Sequence, residues 1–217
     1  INTGDGMFTL ARTAMLNLQD RGVPAELTLR AVRELDEASI RLVHGQFFDI
    51  SFEERQDVTL DEYITMASGK TAAMFAAPLA IGAIVAGASE ATVEAFRTAG
   101  RHIGLGFQMV DDVLGIWGDP AVTGKPVGDD IRSRKMTYPV ISALERAPSG
   151  LKSLYATPFS GEKEIEAISR LIEQGGGREV TEQRAREERD RALAVIEDSG
   201  IAGEGLEHLH AYASVAI

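Results

Sequence analysis

No cysteine occurs among the 217 residues, which excludes a disulfide scaffold, a thiolate metal site and a cysteine nucleophile. Positive charge is short as well: 22 Lys and Arg stand against 33 Asp and Glu, for a net charge of -11. A field of that sign repels nucleic acid and anionic membranes as bulk partners. An acidic protein that handles a polyanion needs divalent cations in between. Period-two alternation is almost missing, so strands have little to form from. No secretory signal is visible, and the expected compartment is cytoplasmic. The longest run without charge or a strong polar group, Ala72 to Ala88, is mostly Ala and Gly and holds Pro78. It falls short of the ~20 large apolar residues of a usual membrane crossing. A closely packed internal helix is the better reading, without stable membrane insertion.

What is present is ordinary globular material, 44% hydrophobic and 25% charged, enough to bury a core. Helical spacing dominates. Asn2 to Asp20 reads as a helix closed by Arg21-Gly22. Pro24 opens a second, running to about Glu54, with Leu27, Ala31, Leu35, Ala38, Leu42 and Phe48 near one face. Thr59 with Glu62 is a capping-box pattern, starting a helix through Lys70 toward Ala86. Ser89 is the expected cap of a fourth helix, which passes through Asp111-Asp112 to about Trp117. Gly118 to Lys135, rich in Gly, Pro and Asp, reads as a loop. Helices resume at Thr137 to Glu145, Glu162 to Gln174, Glu179 to Asp198 and near the C-terminus. With no repeat and no dividing linker, residues 1–217 form a single all-α domain. The start at Ile1 and the apolar end, Leu209 to Ile217, suggest a fragment lacking N-terminal helices. Gly100, Gly104 and Gly106 inside the fourth helix imply close helix packing, room for a ligand, or both.

Several motifs imitate chemistry. Ser68-Gly69-Lys70-Thr71 resembles the end of a phosphate-binding loop, but Ile64 stands where that motif needs glycine and no strand precedes it. His44, His102, His208 and His210 lack ligand spacing and read as helix termini or surface. Gly175-Gly176-Gly177 reads as a junction between helices. Glu179 to Arg191 alternates in sign, with Glu182–Arg186 and Glu187–Arg191 at four-residue spacing, and reads as a solvated helix face.

The informative stretch is Phe107-Gln108-Met109-Val110-Asp111-Asp112, followed by Gly118-Asp119, Thr123-Gly124-Lys125, Asp130 and Lys135. Two adjacent carboxylates on an apolar helix are costly if buried without partners. They suit a hard cation: Mg²⁺ takes one or two carboxylates, keeps waters and bridges to phosphate oxygens. Gln108 lies one turn from both aspartates, and Lys125 and Lys135 are point charges suited to phosphate. Lys70 sits on a second helix able to face the first. An Asp-Asp pair near a helix end can also simply face water; the glutamine, the loop and the lysines together favour a Mg²⁺–diphosphate site.

These residues resemble the second aspartate-rich region of the trans-isoprenyl diphosphate synthases, or polyprenyl synthetases. Gly45-Gln46-Phe47-Phe48-Asp49 is similar to that family's Gly-Gln-x-x-Asp segment, Lys70-Thr71 to its Lys-Thr pair, and Asn2-x-Gly4-Asp5-Gly6 to the segment after its first aspartate-rich motif. The resemblance runs along nearly the whole chain, in order. It implies an isoprenoid-synthase-type helical bundle around a central apolar cavity. It also implies a prenyltransferase that joins an allylic prenyl diphosphate to isopentenyl diphosphate, with Mg²⁺ as cofactor and a homodimer as the assembly. By resemblance, Asp111, Asp112 and Asp130 serve the metal, and Lys70, Lys125 and Lys135 bind the diphosphate. Thr71 and Gln108 place the ionising group, while Gln46, Asp49 and Phe107 line its pocket.

Two departures stand out. Gly115 occupies the place of a common third aspartate, and Asp119 lies about 12 Å along the helix from Asp111, too far to substitute. The first aspartate-rich motif and the residues for isopentenyl diphosphate would lie before Ile1. The alternatives are a terpene cyclase of the same fold and a non-catalytic partner subunit. Asp112→Ala is expected to reduce turnover with the helices intact.

Overall fold

The structure is a computed structural model that describes residues 1–146, 150–157 and 161–217, all of them helix or connecting turn. Helix α1 (Asn2–Leu16) is followed by a 3₁₀ turn at Gln19–Arg21, which Gly22 ends at φ 85°. Pro24 directly precedes α2 (Ala25–Phe52). The capping box is present at α3 (Leu60–Ala67): Glu62 N donates to Thr59 Oγ1 at 3.2 Å and Thr59 N to Glu62 Oε2 at 2.9 Å. Ser89 caps α5 (Glu90–Trp117), accepting from Thr92 N at 3.2 Å.

Between α3 and α4 (Ala73–Val85) the backbone widens into one π-helical turn, Ser68–Ala72. The helix expected here runs on without a break, but through a wide turn that the sequence did not announce. The burial pattern records the extra residue: Tyr63, Ala67, Ala72, Ala76 and Ala80 are buried, with steps of four except across the wide turn, where the step is five. By length and composition Leu60–Val85 could cross a membrane. Its alanines Ala72, Ala73, Ala76, Ala77 and Ala80 are buried, and α4 packs against both α2 and α5.

Residues expected in one loop after α5 include two short helices, α6 (Pro120–Thr123) and α7 (Asp129–Arg132). Asp119 caps α6 through Ala121 N at 2.9 Å, Pro120 supplies its first position, and Gly124 at φ 69° ends it. Helices α8 (Tyr138–Arg146), α9 (Leu151–Ala156), α10 (Glu162–Gln174), α11 (Gly177–Asp198) and α12 (Glu204–Ala216) complete the order.

Helix α5 is central, meeting α4 on one side and α11 on the other. A Cβ on Gly100 would lie 2.5 Å from Ala76 Cα, and one on Gly104 2.5 Å from Ala72 Cα, so these glycines let α4 and α5 touch backbone to backbone. The larger core joins α3, α5, α8, α10 and α11 through Tyr63, Met109, Ile116, Ile141, Ile168, Ile172 and Ala185. Across α2 and α5, Arg97 grips Glu34 with two hydrogen bonds, 3.0 and 2.9 Å.

Three expectations need correction. Phe48 is exposed, because the seam α2 buries runs through Ala31, Ala38, Gly45 and Phe52 at seven-residue steps. Helix α11 is not wholly solvated: Glu188 is fully buried, and Glu182 pairs with Arg178, not Arg186. His102 lies inside α5, neither terminal nor idle, with Nδ1 2.6 Å from Glu188 Oε2.

Candidate active site

The two neighbouring aspartates of α5 face different worlds. Asp112 is 3% exposed and points into the core. Its Oδ2 accepts from the Tyr63 hydroxyl at 2.7 Å and from Tyr138 N at 2.9 Å, and its Oδ1 accepts from Gln108 Nε2 at 3.0 Å. Burial pushes the Asp112 carboxyl up to about 7, against the pull of those three donors. Asp111 is exposed and lines a cleft of about 160 Å³ with Leu114, Gly115, Val122, Thr123, Lys125 and Asp130.

Asp130 arrives at that cleft from α7, although it lies 19 residues (130 minus 111) beyond Asp111 in sequence. It too is only 3% exposed. Burial pushes its carboxyl up; the Lys135 ammonium, 3.0 Å from Oδ1, pulls against that, and the field of Asp111 adds to the rise. Burial works to lower the Lys135 ammonium, but Asp130 outweighs it, joined by the fields of Asp49 and Asp111, and the group sits raised. The turn carrying Lys135 is pinned by the Tyr155 hydroxyl, which donates to Lys135 O at 2.7 Å. A Cβ at Gly115 would stand 2.5 Å from Asp130 Cγ and closer still to Oδ2. The carboxylate of Asp130 thus occupies the space a side chain at 115 would need.

The π-helical turn supplies the second group of residues. Gly45 and Gly69 are in backbone contact there: a Cβ on Gly45 would lie 2.7 Å from Lys70 Cα, and one on Gly69 2.9 Å from Arg41 O. This approach sets Lys70 Nζ 2.5 Å from Asp49 Oδ2, which Gln46 Nε2 also meets at 3.5 Å. One residue on, the Thr71 hydroxyl donates to Gln108 Oε1 at 2.5 Å. Thr71, Gln108 and Asp112 form one chain of hydrogen bonds from α4's entrance into the core. Phe107 turns elsewhere, its ring 4.9 Å from Phe75, which stacks in turn near Tyr212.

The structure therefore gathers Asp111, Asp130 and Lys125 at one cleft, pairs Lys135 with Asp130, links Lys70, Asp49 and Gln46, and joins Thr71 to Gln108. The fields of Asp49 and Asp111 on Lys135 tie these groups to one region. Tyr63, Tyr138 and Tyr155 were not legible as site residues, since their partners are 49, 26 and 20 positions away.

Two carboxylates facing two ammonium groups fit a magnesium ion that keeps water and phosphate oxygens as its remaining ligands. No set of three acidic or histidine ligands exists among the described residues. That agrees with a cation held partly by substrate instead of a protein-only cage.

The architecture is that of an isoprenoid-synthase-type bundle. The whole chain superposes on polyprenyl synthetase from Streptomyces coelicolor A3(2) with a TM-score of 0.92 at 36% identity, covering 66% of that protein. Geranylgeranyl pyrophosphate synthase from Corynebacterium glutamicum, solved with isoprenyl diphosphate and magnesium, matches 92% of the chain with a TM-score of 0.84 at 33% identity, covering 58% of that protein. In sequence, the (2E,6E)-farnesyl diphosphate synthase of Mycobacterium tuberculosis is 42% identical over 205 residues, and a geranylgeranyl diphosphate synthase of the same organism is 40% identical over 200. These alignments take in 91% and 90% of this chain, which spans 56% of each of those relatives. The polyprenyl synthetase family profile matches residues 1–172. The chain belongs to the polyprenyl synthetase family.

Proposed function

We propose that the protein is a prenyltransferase that joins an allylic prenyl diphosphate to isopentenyl diphosphate. The observation that carries this reading is the meeting of Asp111, Asp130 and Lys125 at one cleft, with Lys135 paired to Asp130, in a chain of this family. Asp111 and Asp130 are the groups that would hold Mg²⁺. When bound, that ion supplies Lewis-acid stabilisation of charge on the departing pyrophosphate. Lys125 and Lys135 bind phosphate oxygens as fixed point charges. Lys70 reaches the same anion from the π-helical turn, with Asp49 holding its ammonium in position.

Thr71 and Gln108 orient the allylic group as it ionises, and Gln46 and Asp49 border it, whereas Phe107, packed on Phe75, does not. Asp112, expected beside Asp111 as a metal ligand, serves this reading by fixing Gln108 and the turn of α5 that presents Asp111. Apolar walls keep water from the cation formed on ionisation. Attack by isopentenyl diphosphate then makes the new carbon–carbon bond, and loss of a proton leaves the chain one isoprene unit longer.

The protein acts in the cytoplasm as a homodimer. Support for the second copy comes from α1, which has no buried residue, and from α2, where Ile40, Val43 and Phe47 form an exposed apolar stripe.

The test is the complete protein given Mg²⁺, an allylic diphosphate and isopentenyl diphosphate. An elongated diphosphate is expected. No elongated product would refute the reading, and a hydrocarbon from the allylic diphosphate alone would make the protein a cyclase.

A further inference from the structure

We infer that Gly115 is a positioning residue of the metal site: its missing side chain is the slot through which Asp130, carried by α7, delivers its carboxylate to the turn of α5 that bears Asp111. The inference rests on the magnesium–diphosphate reading above and adds a mechanism to it.

Asp111 and Gly115 are four residues apart in α5, so they share a face about 6 Å apart along the axis. Both line the same cleft, together with Asp130 and Lys125. The Asp130 carboxylate lies where a Cβ on residue 115 would go, 2.5 Å from that position at Cγ and 3.2 Å at Oδ1, with Oδ2 nearer still. It has little freedom to withdraw. Lys135 Nζ holds Oδ1 at 3.0 Å, and Lys135 N holds the Asp130 carbonyl at 2.9 Å. Ile131, next in the chain, is fully buried. A methyl group at 115 therefore has to push the carboxylate out of the cleft, off Lys135 and away from Asp111. The second carboxylate of the site is brought by tertiary contact and stays only while position 115 is empty.

The experiment titrates Mn²⁺ into the full chain in the presence of inorganic pyrophosphate, reading free Mn²⁺ by electron paramagnetic resonance. Thermal unfolding is measured on the same chains without metal. Four variants are compared with the parent: Gly115→Ala, Asp130→Ala, the two combined, and Asp111→Ala. Gly115→Ala is expected to weaken Mn²⁺ binding about tenfold or more. Asp130→Ala should weaken it to a similar degree, and the double variant no further than Asp130→Ala alone, since both act through one carboxylate. Unfolding separates this from a general helix effect. Alanine is the better helix former, so Gly115→Ala should raise Tm in the Asp130→Ala background and lower it in the parent.

Parent-like Mn²⁺ binding by Gly115→Ala would overturn the inference, as would losses that multiply in the double variant. If Gly115→Ala does not fold, recovery of folding on adding Asp130→Ala supports the inference, and failure of both overturns it. If the parent and Asp111→Ala take up Mn²⁺ equally, the magnesium–diphosphate reading itself fails and takes the inference with it. Loss in Asp111→Ala beside unchanged binding in Gly115→Ala leaves that reading standing and removes only the inference.

Discussion

Asp111 and Asp112 are chemically identical neighbours, and the fold sets them in opposite surroundings. Asp112 answers two buried donors, the Tyr63 hydroxyl and Tyr138 N, besides Gln108. Truncating it strands those donors without water, at a cost of about 3 kcal/mol. Asp112→Ala should therefore lower the midpoint of urea unfolding clearly, whereas Asp112→Asn, which keeps an acceptor, should restore most of the loss. This moves the expectation drawn from sequence, which was lost turnover with the fold untouched. Asp111→Ala removes an exposed carboxylate with no core partner, so its urea midpoint should match the parent. On the proposed magnesium–diphosphate reading, the complete protein carrying this change should lose about a hundredfold or more in Mg²⁺-dependent turnover. The doublet itself was plain in the sequence. Which member faces inward was not, because the tyrosine that decides it sits 49 positions upstream.

At the scale of the element, the π-helical turn is what places Lys70 and Thr71. One added residue in the helix swings the following side chains relative to those before it, and such turns often mark functional sites. Here the turn is wedged open by Gly45 and Gly69, whose backbones meet. Gly45→Ala should cost about 2 kcal/mol of stability through overpacking. On the proposed reading it should also raise KM for the allylic diphosphate more than it lowers kcat, because the Lys70–Asp49 pair loses its register. Equal kinetics with lowered stability would confine the glycine contact to packing. The helix ends were readable: the Thr59–Glu62 box and the Ser89 cap formed where their side chains dictate. The wide turn was not, since it falls in an alanine-rich stretch, Ala67 to Ala77, where shape and not hydrophobic contrast distinguishes one face from another. In contrast, the Asp119-Pro120 start and Gly124 stop of α6 obey capping rules that the sequence carried openly.

For the whole molecule, an excess of negative charge must be reconciled with a buried carboxylate between its two principal helices. Glu188 of α11 is fully buried and is served by His102 of α5 and by Arg184 and Arg191 of its own helix. Burial raises its carboxyl, but His102 and Arg184 outweigh that and hold it below the usual range. A carboxyl depressed in the folded state gives stability that is present above its unfolded pKa, near 4.3, and fades as pH falls through the folded value. Melting temperature should therefore fall on acidification below about pH 4.3, and Glu188→Gln should flatten that limb while leaving the neutral plateau less stable. Association belongs to the same scale. Phe47→Glu, on the exposed stripe of α2, should halve the mass found by sedimentation without lowering helix content.

The sequence by itself determined the helical class, the places where most helices start and stop, and the chemical kinds of group available to a diphosphate. Those depend on neighbours within a few residues, where periodicity and capping act. Tertiary structure decided which carboxylate faces the cleft. It turned Asp112 inward onto Tyr63, opened the α3–α4 junction against Gly45, and carried Asp130 across to the gap at Gly115. Each outcome depends on groups tens of residues apart competing for one small volume, and packing settles that competition only when the helices meet.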